Sequence, residues 1–289
     1  SLSILFFFFS ITSIFSQLNL DSVSHLDYQA LHGANLNDVW GYVDEFGNEY
    51  AIVGTTIGTS VVDLSDPNNP TEIFWLPGSE SIWRDPKVFG DYAYITTEAE
   101  DGLAIIDLSP LPSSTTLPTA VYTGPSSNSW ESAHNCFADE NGILYIFGAN
   151  RGNGGAIMLD VNASPMDPVE IGEFDDWYVH DGYARNDTLY LAHINDGFLS
   201  IVDISDKANP LLLGTQDTPN TFSHNIWLSD NGEVVFTTDE LSGSYVASFD
   251  ITDPTNISQL DKIQSSPGQG VIPHNTFVYN DYLVTSYYS

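Results

Sequence analysis

The chain has 289 residues, 42% hydrophobic and 13% aromatic, enough to bury a large core in one β domain. Six basic residues stand against 39 acidic ones, a net charge of −33. Such a surface repels phosphate backbones and anionic lipid, which excludes nucleic-acid binding, and it attracts cations such as Ca²⁺.

Residues 2–15 read LSILFFFFSITSIF, and the polar LNLDS follows Ser16-Gln17. The run is short for a bilayer span and reads as the apolar region of a secretory signal peptide, with cleavage near Ser16 or Gln17. A starting Met and a basic flank are missing, so residues 1–17 read as a partial signal peptide and 18–289 as the mature domain. The expected location is extracellular or cell-surface, with no later transmembrane segment. The stretch Leu18–Leu31 is strand-like and is expected to complete a last blade. His25 and His32 lie outside any repeat and read as surface residues.

From residue 37 onward the chain repeats. His134-Asn135, His180-Asp181, His224-Asn225 and His274-Asn275 are each followed, two residues on, by Phe137, Tyr183, Trp227 or Phe277. Arg84-Asp85 holds the same place one unit earlier, and Val39-Trp40 is taken as the first. A period of 40–50 residues marks a repeat architecture. The unit from His180 shows four strand-like pieces: HDGYAR, TLYLAHI, FLSIVDIS and LLLGTQ. Each is a short β-branched or aromatic run bounded by Gly, Pro, Asn or Asp. No helical period of useful length is present. Asp63, Asp107, Asp160, Asp203 and Asp250 end the third piece of successive units and read as turn caps. DEFGNE (44–49), DENG (139–142) and SDNGE (229–233) read as hairpin turns, and none spells an EF-hand loop. The glycine-rich NRGNGG lacks a Walker lysine, and no Gly-x-Ser-x-Gly elbow is present. Cys136, the only cysteine, excludes an internal disulfide framework and reads as a small buried apolar residue.

Four antiparallel strands per unit around an axis describe an all-β protein, a β-propeller. Five complete units and part of a sixth are present, so the ring is expected to continue beyond this chain and to close with seven blades as a monomer. The stretches NDVWGYVDEFGNEYAIVGTTIGTSVVDLSDP (37–67), SIWRDPKVFGDYAYITTEAEDGLAIIDLS (81–109), SHNIWLSDNGEVVFTTDE (223–240) and PHNTFVYNDYLVTSYYS (273–289) resemble the LVIVD-repeat, choice-of-anchor B family. That resemblance spans residues 18–289. It implies a secreted bacterial propeller whose C-terminal anchor varies between members, and it implies no particular activity.

In a propeller the first strand of each unit lies innermost, so the His-Asn and His-Asp pairs should face the mouth of the central channel. The end of the second strand returns to that face, bringing Glu98, Asn150-Arg151, His193 and Asp239-Glu240. Three readings follow. The imidazoles and carboxylates bind a divalent metal, Ca²⁺ or a transition metal, and run a hydrolase or lyase reaction with Glu98 or Glu240 as base. Alternatively the rim, with Trp40, Trp83, Trp130, Trp177 and Trp227 near the unit starts, recognises an extracellular protein, peptide or glycan, and the propeller is a binding scaffold. In the third, the repeated His and Asn residues tie each blade to the next. The sequence favours the scaffold, with ligand-contact candidates Arg84, Asp85, His134, Asn135, His180, Asp181, His193, His224, Asn225, Asp239, His274 and Asn275.

Overall fold

The computed structural model describes residues 22–280 and 282–289. The signal-peptide reading therefore lies outside the described residues, as do residues 18–21. Among the described residues no helix is long and apolar enough to cross a membrane.

Five four-stranded antiparallel sheets are followed by a two-stranded one, each sheet a simple meander in chain order. The unit from His180 shows how sequence becomes blade. Its strands are Asp181–Arg185, Thr188–His193, Phe198–Asp203 and Leu211–Asp217. Asn186 and Asp187 at φ 52° and 55° make the two-residue turn that a twisted hairpin requires. The middle strands are buried almost throughout, because a blade lies on each side of them. The outermost strand alternates, since one of its edges meets solvent. The five aspartates do cap turns: Asp63, Asp107, Asp160, Asp203 and Asp250 each accept the backbone N–H two residues on, at 2.8–2.9 Å. Asp44 and Asp139 do the same at hairpin turns and also accept the hydroxyls of Tyr50 and Tyr145.

The core is a run of interleaved layers between blades. Phe137, Tyr145 and Phe147 of the third blade pack on Leu189, Leu191 and Val202 of the fourth. Tyr190, Leu199 and Ile201 then pack on Ile226, Val235 and Phe249 of the fifth. Each fully buried side chain of this kind is worth about 1.5–3 kcal/mol. Where an outer strand passes over the next blade's turn there is no room for a side chain. A Cβ on Gly214 would stand 2.2 Å from the carbonyl oxygen of Pro254, and on Gly172 1.9 Å from that of Lys207. Gly214→Ala is expected to cost about 1–3 kcal/mol by overpacking, a fall of roughly 2–12 °C in melting temperature. An unchanged melting curve in calorimetry would show that the blades slide apart without penalty.

Two expectations are corrected here. Residues 28–31 are not a strand: Tyr28–His32 is a one-turn helix, capped by the Asp27 carboxylate and ended by Gly33 at φ 69°. His32 is not a free surface residue, because it stacks on Trp75 at 3.7 Å and its Nε2 meets Glu72 at 2.9 Å. His25 is exposed. The first and sixth innermost strands, Leu36–Val43 and Ile272–Tyr279, approach through one ring pair, Trp40 and Phe277, 6.5 Å apart.

Candidate functional site

Six innermost strands send three side-chain layers toward one axis. The deepest layer is Trp40, Lys87, Phe137, Tyr183, Trp227 and Phe277. Its rings touch in sequence: Phe137–Tyr183 4.7 Å, Tyr183–Trp227 4.8 Å and Trp227–Phe277 4.8 Å between centroids. Lys87 lies over Trp40, 4.8 Å from the ring centre. Phe137 and Trp227 also meet, at 5.8 Å, so these rings fill the space around the axis.

Above it lie Asp38, Asp85, Asn135, Asp181, Asn225 and Asn275 around a void of about 10 Å³, roughly one water. Here the blades are tied together. Asn225 donates to Asp181 at 2.7 Å and accepts the N–H of Thr276 at 2.9 Å, bridging three blades. Lys87 hydrogen-bonds Asp85 and stands 3.8 Å from Asp38. Buried Asp85 and partly exposed Asp38 together keep Lys87 charged, while burial and the neighbouring Asp38 push Asp85 up. Asp85, Asn135, Asp181, Asn225 and Asn275 therefore form a layer beneath the mouth rather than its rim. Asp38 belongs to this layer, so the first unit's true register is Asn37-Asp38, not Val39-Trp40. The aromatic three residues after His134 matches Trp40, three after Asn37, and that spacing carried the signal.

The top layer is the histidine arc. Successive ring centroids lie 3.9 Å apart for His134–His180, 4.6 Å for His180–His224 and 4.3 Å for His224–His274. Glu98 closes one end, 2.6 Å from His134 Nδ1. A carboxylate only accepts, so Nδ1 carries a proton, and in the neutral ring it is Nε2 that holds the lone pair. Glu240 closes the other end, 3.6 Å from His224 Nε2 and 3.7 Å from His274 Nε2. Its other partner is Tyr288, whose hydroxyl donates at 2.6 Å and which no repeat signal singles out. His180, His224 and Glu240 offer one ligand atom each within 4.8 Å of one another. His180 Nε2 and His224 Nδ1 are buried with no hydrogen-bond partner among the described residues. Burial, then the neighbouring imidazoles, lowers the His180 pKa from 6.5 to about 2 and holds His224 well below its ordinary value. Burial lowers His274 as well. Neutral imidazoles with free lone pairs are the protonation state that metal coordination needs.

The remaining sequence candidates are elsewhere. His193 is fully buried, bonded to the Tyr178 carbonyl and the Ser200 hydroxyl at 2.8 Å each, and does not reach the mouth. Asp239 is spent on a turn, accepting from Thr218, Asn220 and Phe222. Arg84 turns outward between the first two blades, donating to the carbonyls of Thr55 and Ser79. Asn150 accepts the N–H groups of Glu131 and Ser132, and Arg151 is paired with Glu170 and Glu173. Of the tryptophans only Trp83 stands exposed beside the arc, 6.1 Å from His134. Trp130 and Trp177 pack into the blades, and Trp40 and Trp227 into the plug. Cys136 is buried, and burial lifts its thiol to about 12, which leaves it unreactive.

The buried imidazoles make a pH prediction. Unfolded, His180 takes up a proton near pH 6.5; folded, it does so only near 2. Below pH 6.5 the unfolded chain therefore binds a proton that the folded chain refuses, and stability is lost as pH falls. Asp181, lifted from 3.8 to about 6 by burial, works in the opposite sense between those two values. The comparison to make is thus between chelator-treated parent and His180→Leu. The variant's stability should fall less steeply between pH 6.5 and about 3, by about 1.4 kcal/mol per pH unit, or roughly 3–6 °C. Parallel curves in denaturant titrations would mean that His180 titrates normally.

Comparison with known proteins bears on the scaffold. The LVIVD repeat model matches residues 46–76, 84–123 and 182–218, so the chain carries LVIVD repeats. No curated protein sequence matches it significantly. Among solved structures it is similar to a Lactobacillus plantarum protein at TM-score 0.64 and 14% identity, covering 86% of this chain and 74% of that one. It is similar to the periplasmic gluconolactonase of Pseudomonas aeruginosa at TM-score 0.64 and 14% identity, covering 88% and 76%. The Cps50 (Swd1) β-propeller domain of Myceliophteria thermophila gives TM-score 0.59 at 10% identity, covering 88% and 82%. Identities this low show the β-propeller fold and nothing of the chemistry.

Proposed function

Taking as premise a chain of LVIVD repeats wound into a β-propeller, we propose that it is a metal-binding protein whose mouth holds one divalent transition metal on His180, His224 and Glu240. The observation that carries this is the convergence of one ligand atom from each of those three residues within 4.8 Å, on two imidazoles that each keep a buried nitrogen without a partner among the described residues. Two imidazoles and a carboxylate are a donor set for Zn²⁺ or its neighbours, reached at ~2.0–2.2 Å by small side-chain rotations. Ca²⁺, which takes six to eight oxygens, fits poorly. The metal reading thus stands ahead of the plain scaffold that the sequence favoured, with the ring itself as the scaffold.

A bound divalent ion supplies Lewis acidity and an activated water. The chain's own contribution would be His134, oriented by Glu98 so that Nε2 faces the arc and can take a proton. In this reading Glu98 positions the base and Glu240 is a ligand. A metal-assisted hydrolase follows, a class that also includes lactone hydrolysis, the activity named for one of the similar propellers. The apolar run at residues 2–15 supports placing this chemistry outside the cytoplasm.

A second reading, recognition of a partner protein or glycan, is favoured by one observation: Ile82 and Trp83 are 64% and 47% exposed on the rim next to His134. Elemental mass spectrometry after dialysis against a weak chelator separates the two. About one transition-metal ion per chain is the expected result. Calcium alone, or no metal, would remove the metal reading and leave the rim as a recognition surface.

A further inference from the structure

Where the His-Asn repeat is broken by Arg84-Asp85, the structure opens a second cavity. It lies between the first and second blades, has a volume of about 500 Å³, and is apart from the histidine arc. Its walls include Leu76, Ile95, Ala104 and Val121, and the Arg84 guanidinium is its one buried cation. Arg84 is 4% exposed. Among the described residues it donates only to the carbonyls of Thr55, at 2.6 Å, and Ser79, at 2.8 Å. The nearest carboxylate, Asp101, is 3.8 Å away. Its oxygens also accept, at 2.7 Å each, from the backbone N–H and hydroxyl of Ser79.

The other buried arginine shows what a purely structural guanidinium looks like here. Arg151 has Glu170 on both of its Nη atoms, at 2.9 and 3.0 Å, and Glu173 at 3.0 Å. A buried charge is normally compensated in that way. Arg84 has the burial with a single, longer ion pair to Asp101 and no carboxylate in direct hydrogen bond, beside a part-apolar cavity large enough for a small ligand.

We propose that this cavity binds a monocarboxylate with an apolar body, its carboxylate on Arg84 and its chain over Leu76, Ile95 and Val121. A planar carboxylate suits the guanidinium fork. One negative charge suits it better than two, because Asp101 stands beside the site and the whole chain carries −33. The cavity is built on strand ends rather than on the histidines, so the proposal does not depend on metal at the mouth.

The test uses octanoate against 1-octanol as its uncharged match, by calorimetric titration of the full chain. Octanoate should saturate at one per chain, and octanol should bind at least about 10-fold more weakly. Arg84→Gln should lower octanoate affinity about 10-fold or more. Because Arg84 also ties two loop carbonyls, a second variant keeps it: Ala104→Leu narrows the cavity and should weaken octanoate equally well. His180→Leu, at the other site, should leave octanoate binding unchanged. Equal binding of octanol and octanoate, undiminished binding in both cavity variants, or no saturable octanoate binding in the millimolar range would each overturn the proposal.

Discussion

Replacing His180 or His224 with leucine should abolish metal uptake and leave the metal-free protein at least as stable as its chelator-treated parent. The two halves of this result have one cause. His180 Nε2 and His224 Nδ1 are buried polar atoms with no partner among the described residues. A buried group left without a hydrogen bond costs about 1–3 kcal/mol. Leucine fills similar space and carries no polar atom, so the metal-free fold loses nothing and sheds that penalty. Metal binding loses one of three ligands. Altering a group behind a ligand already costs 10–100-fold in affinity, so removing the ligand itself should cost at least about 100-fold. Glu98→Gln, behind His134, should have a weaker effect than either leucine variant. The measurements are metal stoichiometry by mass spectrometry and melting temperature by calorimetry on the same samples. If the leucine variants instead unfold or aggregate, the imidazoles are blade-to-blade ties, and the metal reading falls with them. The geometry argues against that outcome, since the observed ties run through Asn225, Asp181 and the threonine hydroxyls.

How much of this was legible without coordinates differs by layer. The strand pattern was readable because local rules set it. In the unit from His180, the residue run FLSIVDIS announces a strand buried on both faces, and the Asp that ends it announces the turn. The histidine arc was also readable, since equivalent positions of a ring must meet at its axis. Depth was not. A repeat motif says which residues face the axis, but not that the His and the following Asn or Asp occupy separate layers. His193 and Asp239 had the right chain position but turn into the blade and a loop, because hydroxyl and backbone partners are closer than the mouth. Glu98 and Glu240 had equally plain surroundings in sequence, yet they reach the arc. Side-chain direction at a strand end depends on the neighbouring blade, which one chain's periodicity does not encode. The helix at Tyr28–His32 escaped for another reason. Its five residues are too few to show a period, and only Asp27 and Gly33 at its ends carried the signal.

The largest stability effect should come from Lys87, which no motif singled out. Five of the six positions in the plug layer are aromatic, and the sixth is this lysine. It is buried against Asp85 and Asp38 and over Trp40. Lys87→Met removes the ammonium and leaves the buried Asp85 carboxylate facing the partly exposed Asp38. Breaking a buried pair in this way costs about 3–5 kcal/mol, a fall of roughly 6–20 °C for a domain of this size. Replacing both partners is a different matter, because the buried pair goes together and only Asp38, with its side chain 28% exposed, loses its 3.8 Å contact. Asp85→Asn with Lys87→Phe gives the second blade the pair already present in the third, Asn135 with Phe137, and in the sixth, Asn275 with Phe277. That double variant should return to within about 1 kcal/mol of the parent, so the two sites must be strongly non-additive. Thermal unfolding of the parent, Lys87→Met and Asp85→Asn/Lys87→Phe at pH 7 decides it. If the double variant is as unstable as Lys87→Met, the lysine acts through its packing on Trp40 rather than its charge. The plug would then be a steric device, with no role in neutralising the carboxylate layer under the histidines.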